Sequence, residues 1–67
     1  MKHSIFMTFE VKISGHVVVV DAYGVAHGDD NEASEKVLRK IQYMIRESYR
    51  NADSIELKRV MVEDHEE

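Results

Sequence analysis

The sequence predicts an α+β fold in which one helix covers one face of a three-stranded antiparallel sheet. Apolar residues alternate with other residues from Ile5 to Ile13, which is typical of a strand with one buried face. Apolar residues recur every three or four positions from Asn31 to Arg50, which is typical of an amphipathic helix. Alternation returns from Ile55 to Glu63. In a β-β-α-β order, the helix buries its own apolar stripe and that of the sheet together.

The first strand leads into a tight hairpin. Ser14-Gly15 separates it from a second strand, His16 to Tyr23, whose four consecutive valines do not define a register by themselves. A two-residue loop makes Ile13 face His16 and Phe9 face Val20, and residues directly opposite share a face. The inner face then holds Ile5, Met7, Phe9, Val11, Ile13, Val18, Val20 and Ala22, and the far side holds Phe6, Thr8, Glu10, Lys12, Val17, Val19, Asp21 and Tyr23.

The helix is expected to follow a flexible connection that runs from Gly24 to Asp30. Asp29 and Glu32 have the spacing of a capping box, and Asp30 or Asn31 could cap the helix equally well. Asn51 is the expected left-handed terminator, followed by a turn over residues 51–54. The predicted apolar stripe consists of Ala33, Val37, Leu38, Ile41, Met44, Ile45 and Ser48 or Tyr49.

The third strand permits two registers, because its alternation is interrupted at Arg59 to Val62. Either Arg59 and Met61 point inward, or a bulge near Lys58-Arg59 turns Val60 and Val62 inward. The bulge is preferred, since an inward Arg59 would need a partner. The crossover through the helix places this strand beside the first, in the order 2-1-3. Residues 64–67 are expected to be a frayed tail.

Length and charge narrow the class of protein. The 67 residues form one domain, and they contain no Cys that could stabilise it through disulfides. Oligomerisation is therefore the expected compensation, and a homodimer formed through the sheet is one candidate. Residues 1–30, 31–50 and 51–67 carry net charges of −2, +2 and −4, so the helix is the positive element of an acidic chain. Without a long apolar segment, the expected location is cytoplasmic, with no membrane contact.

Motifs for chemistry are missing from the sequence. The four His lack the spacing of metal ligands and are expected to be ordinary surface residues. Residues 27–32 are rich in oxygen ligands but lack the EF-hand pattern, and helix capping accounts for them. No phosphate loop, Cys nucleophile or serine elbow is present. The prediction is a protein that is not an enzyme and has no metal or cofactor.

Two surfaces are suited to binding a partner. The far side of the hairpin exposes apolar residues if the sheet is covered on one face only, and such patches often mark interfaces. The outer face of the helix carries Lys36, Arg39 and further basic residues around an aromatic ring, which suits a phosphate backbone or an acidic protein. The candidate partner-binding residues are Phe6, Val17, Val19 and Tyr23 on the sheet, and Lys40, Tyr43, Arg46 and Arg50 on the helix.

The pattern resembles the small β-β-α-β proteins that bacteriophages make early in infection to bind and inhibit host machinery, such as the T7-type inhibitor of bacterial RNA polymerase. The resemblance covers the element order from Ile5 to Glu63 and no signature motif, so it transfers no functional residue. It implies an inhibitor that binds a larger host protein, such as transcription or nucleoid machinery. Other phage inhibitors of this size are acidic DNA mimics, a role that the basic helix disfavours.

The expected function is therefore a non-enzymatic protein-interaction module, plausible as a phage or mobile-element inhibitor. The alternative is a nucleic-acid-binding module that uses the basic outer face of the helix. A protein partner is expected first, a homodimer is a further candidate, and nucleic acid ranks below both.

Overall fold

The computed structural model describes residues 2–64, which form three strands and one helix in the predicted β-β-α-β order. The strands are β1 (Lys2–Ile13), β2 (His16–His27) and β3 (Ser54–Asp64), and the helix α1 spans Asp30–Ser48. The sheet is antiparallel in the order β2-β1-β3, with α1 on one face, so the predicted fold class and strand order are confirmed.

The hairpin register is as predicted. Ile13 pairs with His16, and Phe9 pairs with Val20. Ser14 and Gly15 both have positive φ, 49° and 81°, which is the conformation of a type I′ turn. This turn matches the twist of the two strands and fixes which side chains lie beneath the helix.

The strand β2 extends four residues beyond the predicted end at Tyr23, which corrects the prediction of a flexible connection from Gly24 to Asp30. It continues to His27 because β1 begins at Lys2 and supplies a partner for every residue of β2. Gly24 lies within the strand and faces the helix. A Cβ atom there would lie 3.2 Å from Val37 Cγ1, so the glycine permits a close approach of α1.

The third strand contains the preferred bulge. Thr8 pairs with Arg59 and Phe9 with Leu57, so Lys58 is the extra residue. Beyond the bulge, Val60 pairs with Met7 and Val62 with Ile5, and both valines therefore lie on the inner face. Asp64 belongs to β3, which corrects its assignment to the tail, whereas residues 65–67 lie outside the described part of the chain.

The core lies between β1 and α1. Its buried apolar residues are Ile5, Met7, Phe9 and Val11 from β1, and Ala33, Val37, Ile41 and Ile45 from α1. Met44, predicted to belong to the buried stripe, is instead 57% exposed. It lies on the flank of α1 toward β2, which is an edge strand, and the described chain has no further strand there to cover it.

The predicted cap at the start of α1 is confirmed, whereas the predicted terminator at its end is wrong. At the start, the Asp29 carboxylate accepts a hydrogen bond from the backbone N–H of Glu32 at 2.8 Å, which confirms this cap. At the end, the helix stops at Ser48, and Asn51 does not have the predicted positive φ. The chain turns instead through a bond from Ala52 N–H to Tyr49 O, and Asp53 N–H then donates to Lys12 O.

Replacing Gly24 by Val should lower the free energy of unfolding by about 1–3 kcal/mol, because the new side chain would overlap Val37. Urea unfolding followed by circular dichroism measures this loss. Adding Val37→Ala removes the two obstructing methyl groups, so the double variant should be more stable than the sum of the two single losses predicts. Strictly additive losses would contradict this close contact.

The cap at Asp29 should make stability depend on acid pH. The hydrogen bond from the Glu32 N–H holds the pKa of the Asp29 carboxyl below its ordinary value. Its stabilisation is therefore present above the unfolded-state pKa of about 3.9 and is lost as pH falls through the folded-state value. The stability difference between wild type and Asp29→Asn, measured by urea unfolding, should shrink from pH 7 to pH 3. Asn also caps helices, so a difference that is independent of pH would contradict the carboxylate's role.

Candidate protein-interaction surface

No residue of the described range 2–64 covers the face of the sheet opposite α1, and we call it the open face. Strand alternation places its apolar residues there: Phe6, Val17, Val19, Tyr23, Val25 and Met61, all of them exposed. Four of these six are the sheet residues predicted as partner-binding. The sequence prediction did not include Val25 and Met61. Val25 lies beyond Tyr23, the predicted end of β2, and the two possible registers of β3 placed Met61 on opposite faces of the sheet.

The aromatic part of the open face is ordered by contacts across the strands. Phe6 on the central strand pairs with Tyr23 on one side and Met61 on the other. The rings of Phe6 and Tyr23 are stacked, with centroids 5.6 Å apart and an interplanar angle of 24°. Tyr23 is nevertheless 67% exposed and Phe6 39% exposed. The result is a preorganised apolar cluster that presents ring surface to solvent.

Polar residues border this cluster. Thr8 Oγ1 donates a hydrogen bond of 2.8 Å to Asp21 Oδ1, between the aromatic pair and the exposed Val19. Further along the face lie Glu10 and Glu56, which are paired neighbours across β1 and β3. An apolar centre within a polar border is the arrangement found in many protein interfaces.

The outer face of α1 carries the other predicted site residues, and some of its cations form ion pairs within the helix. Arg50 donates to Glu47 at 2.9 Å, which is an i, i+3 ion pair. Among the described residues, Lys40 and Arg46 have no ion-pair partner, and Tyr43 lies near them on the helix with 67% of its surface exposed. The unpaired charge is thus two cations around one ring.

Two further basic residues of α1 have partners within the described chain. Arg39 lies 3.8 Å from Glu35, as expected for an i, i+4 pair. Lys36 does not pair with Glu32. Its ammonium donates instead to the His27 carbonyl at 3.0 Å, across the cleft between α1 and the end of β2.

That cleft is a concavity between α1 and the second half of β2. Its volume is about 570 Å³, and small residues of β2, including Ala22, Gly24 and Ala26, form one wall. Val37, Ile41 and the exposed Met44 form the opposite wall. The cleft is open toward the free edge of β2, so its apolar walls are accessible from the side of the molecule.

His3 is the polar residue that the sequence prediction placed wrongly. It is 4% exposed on the inner face of β1, not an ordinary surface residue. Its Nε2 lies 3.5 Å from Asp30 and its Nδ1 lies 3.4 Å from Asp64, although Nδ1 has no hydrogen bond of good geometry. Continuation of the β1 alternation from Ile5 to His3 was the available signal. The imidazole lies between the start of α1 and the end of β3.

Residues 2–64 contain no group of three or more His, Asp or Glu side chains placed to hold a metal ion. Within the same residues, no helix is long and apolar enough to span a membrane. Comparison with protein-family models, with curated proteins and with solved structures finds no significant match to the chain. Functional inference therefore depends on the surfaces and on the resemblance in element order.

Proposed function

We propose that this chain is a non-enzymatic protein-interaction module that binds a larger protein through its open face. The observation that carries the proposal is the stacked pair of Phe6 and Tyr23, held beside Met61 on an uncovered sheet. Aromatic and methionine side chains are enriched at interface centres, and rings that are already ordered lose little conformational entropy on binding.

The valines of β2 extend the same surface. Val19 is 62% exposed, and Val17 lies two residues away on the same side of the strand. β-branched side chains favour strands regardless of burial, so the valines alone are weak support. Their continuity with the aromatic cluster makes the apolar surface larger than isolated exposed residues would, which favours an interface.

The class of partner follows from the resemblance to phage host-takeover proteins. On that basis, the proposed partner is a bacterial protein of the cytoplasm, and binding would inhibit it. The acidic net charge of −4 suits a partner surface that is basic around an apolar centre.

Affinity capture from a bacterial lysate tests the proposal. Wild type should retain a specific protein, and Phe6→Lys should lose it, because a charge in the centre of the open face would have to be desolvated. Val17→Lys combined with Val19→Lys should weaken capture in the same way. Circular dichroism should show an unchanged fold for both variants, since all three side chains are exposed.

Arg46→Glu is the matched control, because it changes charge on the outer face of α1. It should retain the same captured protein as wild type. Equal capture by Phe6→Lys, or loss of capture in Arg46→Glu alone, would contradict binding through the open face.

Nucleic-acid binding is the second candidate, and the unpaired Lys40 and Arg46 around Tyr43 favour it. The acidic chain as a whole opposes it. Fluorescence anisotropy with a labelled DNA duplex should therefore show no binding at low salt. Binding that weakens steeply with added salt, and that is lost in Arg46→Glu, would instead assign the function to the helix.

A further inference from the structure

We propose that two copies of the chain associate through antiparallel pairing of their β2 strands, forming a six-stranded sheet with two adjacent helices on one face. The inference does not depend on the proposed function. It rests on the free edge of β2, the cleft beside that edge, and the charges on the flank of α1 above it.

The two edges of the sheet are unlike. β2 is twelve residues long, pairs throughout with β1, and contains one formally charged residue, Asp21. β3 is interrupted by the bulge at Lys58 and carries five charged residues: Glu56, Lys58, Arg59, Glu63 and Asp64. Bulges and charges are the devices by which edge strands avoid pairing with other chains. β3 has both, and β2 has neither a bulge nor a run of charges.

The geometry of the hairpin shows which backbone peptide groups of β2 are available for hydrogen bonding to another strand. A two-residue turn makes Ile13 and His16 a hydrogen-bonded pair, so hydrogen bonding to β1 alternates from His16 onward. The peptide groups of Val17, Val19, Asp21 and the further odd-numbered residues therefore point away from β1. One of them, the His27 carbonyl, already accepts a bond from Lys36. The others on this edge have no strand partner within the described chain.

A twofold axis perpendicular to the sheet preserves the two faces of both copies. Residues directly opposite each other in the two paired β2 strands must share a face. The axis therefore sets one residue of β2 opposite the same residue of the second copy, and it cannot pass between two consecutive residues. An axis through Asp21 would oppose two carboxylates. An axis through Val20 or Ala22 avoids this and sets apolar side chains opposite each other.

The position of α1 suits this arrangement. The helix packs on both β2 and β1, so we take its axis to lie between them, about half a strand spacing inside β2. Across a seam of one strand spacing, the two helices would lie about 10 Å apart, which is within the range for packed helices. Each copy would then close the cleft of the other from the side and cover the exposed Met44.

Charges along the flank of α1 are complementary in that orientation. Lys36, which donates to the His27 carbonyl, and Lys40 line the cleft in the first half of the helix, and Glu47, which accepts from Arg50, follows Met44 on the same flank. The twofold axis makes the helices antiparallel, so the basic half of one flank faces the half that carries Glu47 of the second copy. A second copy therefore matches the strand edge, the apolar cleft and the charge pattern together.

Analytical ultracentrifugation of the purified chain at high micromolar concentration should give twice the 7.8 kDa monomer mass. Val19→Pro removes one outward N–H from each copy and keeps the bonds to β1, so dimerisation should weaken roughly tenfold or more. Met44→Lys, at an exposed helix position, should also weaken it. Met61→Lys on the far edge is the control and should leave the dimer intact.

A spin label distinguishes edge pairing from a dimer formed through the open faces. The chain has no Cys, so Arg46→Cys gives a single labelling site on the outer face of α1, away from the proposed seam. Edge pairing places the two helices about 10 Å apart, whereas stacked open faces would place them roughly 30 Å apart on opposite outer surfaces. A monomeric wild type, dimerisation unchanged in both Val19→Pro and Met44→Lys, or the longer label separation would each overturn the proposal.

Discussion

The rest of the structure depends on the packing of one row of β1 side chains against α1. Phe9, Ile5 and Val11 are the largest fully buried side chains, and all three belong to this strand. Because β1 is central, it supplies the backbone partners for both other strands as well as the floor of the helix interface. The alternation of the β1 side chains therefore determines which face of each strand points toward α1. The other two strands, β2 and β3, form the edges of the sheet.

A single helix cannot cover this sheet. An α-helix with its side chains is about 10 Å wide, and three strands span about 14 Å. The helix lies over β2 and β1, where Gly24 allows a close approach, so Val60 on the inner side of β3 remains 44% exposed. On the opposite side of the sheet, nothing in the described chain covers the open face. The exposed apolar residues are thus a consequence of how few elements 67 residues can form.

The features that were predictable from the sequence are those set by local pattern and a short turn. The alternation of β1, joined to a two-residue loop, determined the register of the hairpin and hence four of the open-face residues. The register of β3 remained between two choices, because a bulge depends on pairing with another strand. Gly24 resembles a loop residue locally. Its place in β2 depends on pairing with Ile5 of β1, and its lack of a side chain allows the approach of Val37 from the helix; no window of neighbouring residues contains either partner.

Helix periodicity likewise had a limit. It identified Ala33, Val37, Ile41 and Ile45, but it also included Met44, which lies on the border of the stripe. Periodicity gives the direction of a side chain around the helix and cannot show that the sheet ends beneath it. The candidate helix site also includes Arg50, and its ion pair with Glu47 leaves Lys40 and Arg46 as the two cations of that site without an ion-pair partner among the described residues. His3, by contrast, could have been placed by extending the β1 alternation two residues.

The proposed dimer and the proposed partner surface are compatible because they use different parts of β2. Edge pairing uses main-chain groups and the helix flank, while the side chains of Val17, Val19 and Tyr23 stay on the open face. The twofold axis would join two open faces into one surface, whereas stacking the faces would bury the aromatic cluster. The two β3 strands would form the outer edges of the six-stranded sheet, and each has a bulge and charged side chains. Those edges would resist further strand pairing, so the proposed assembly would close at two copies and would not extend into a fibre.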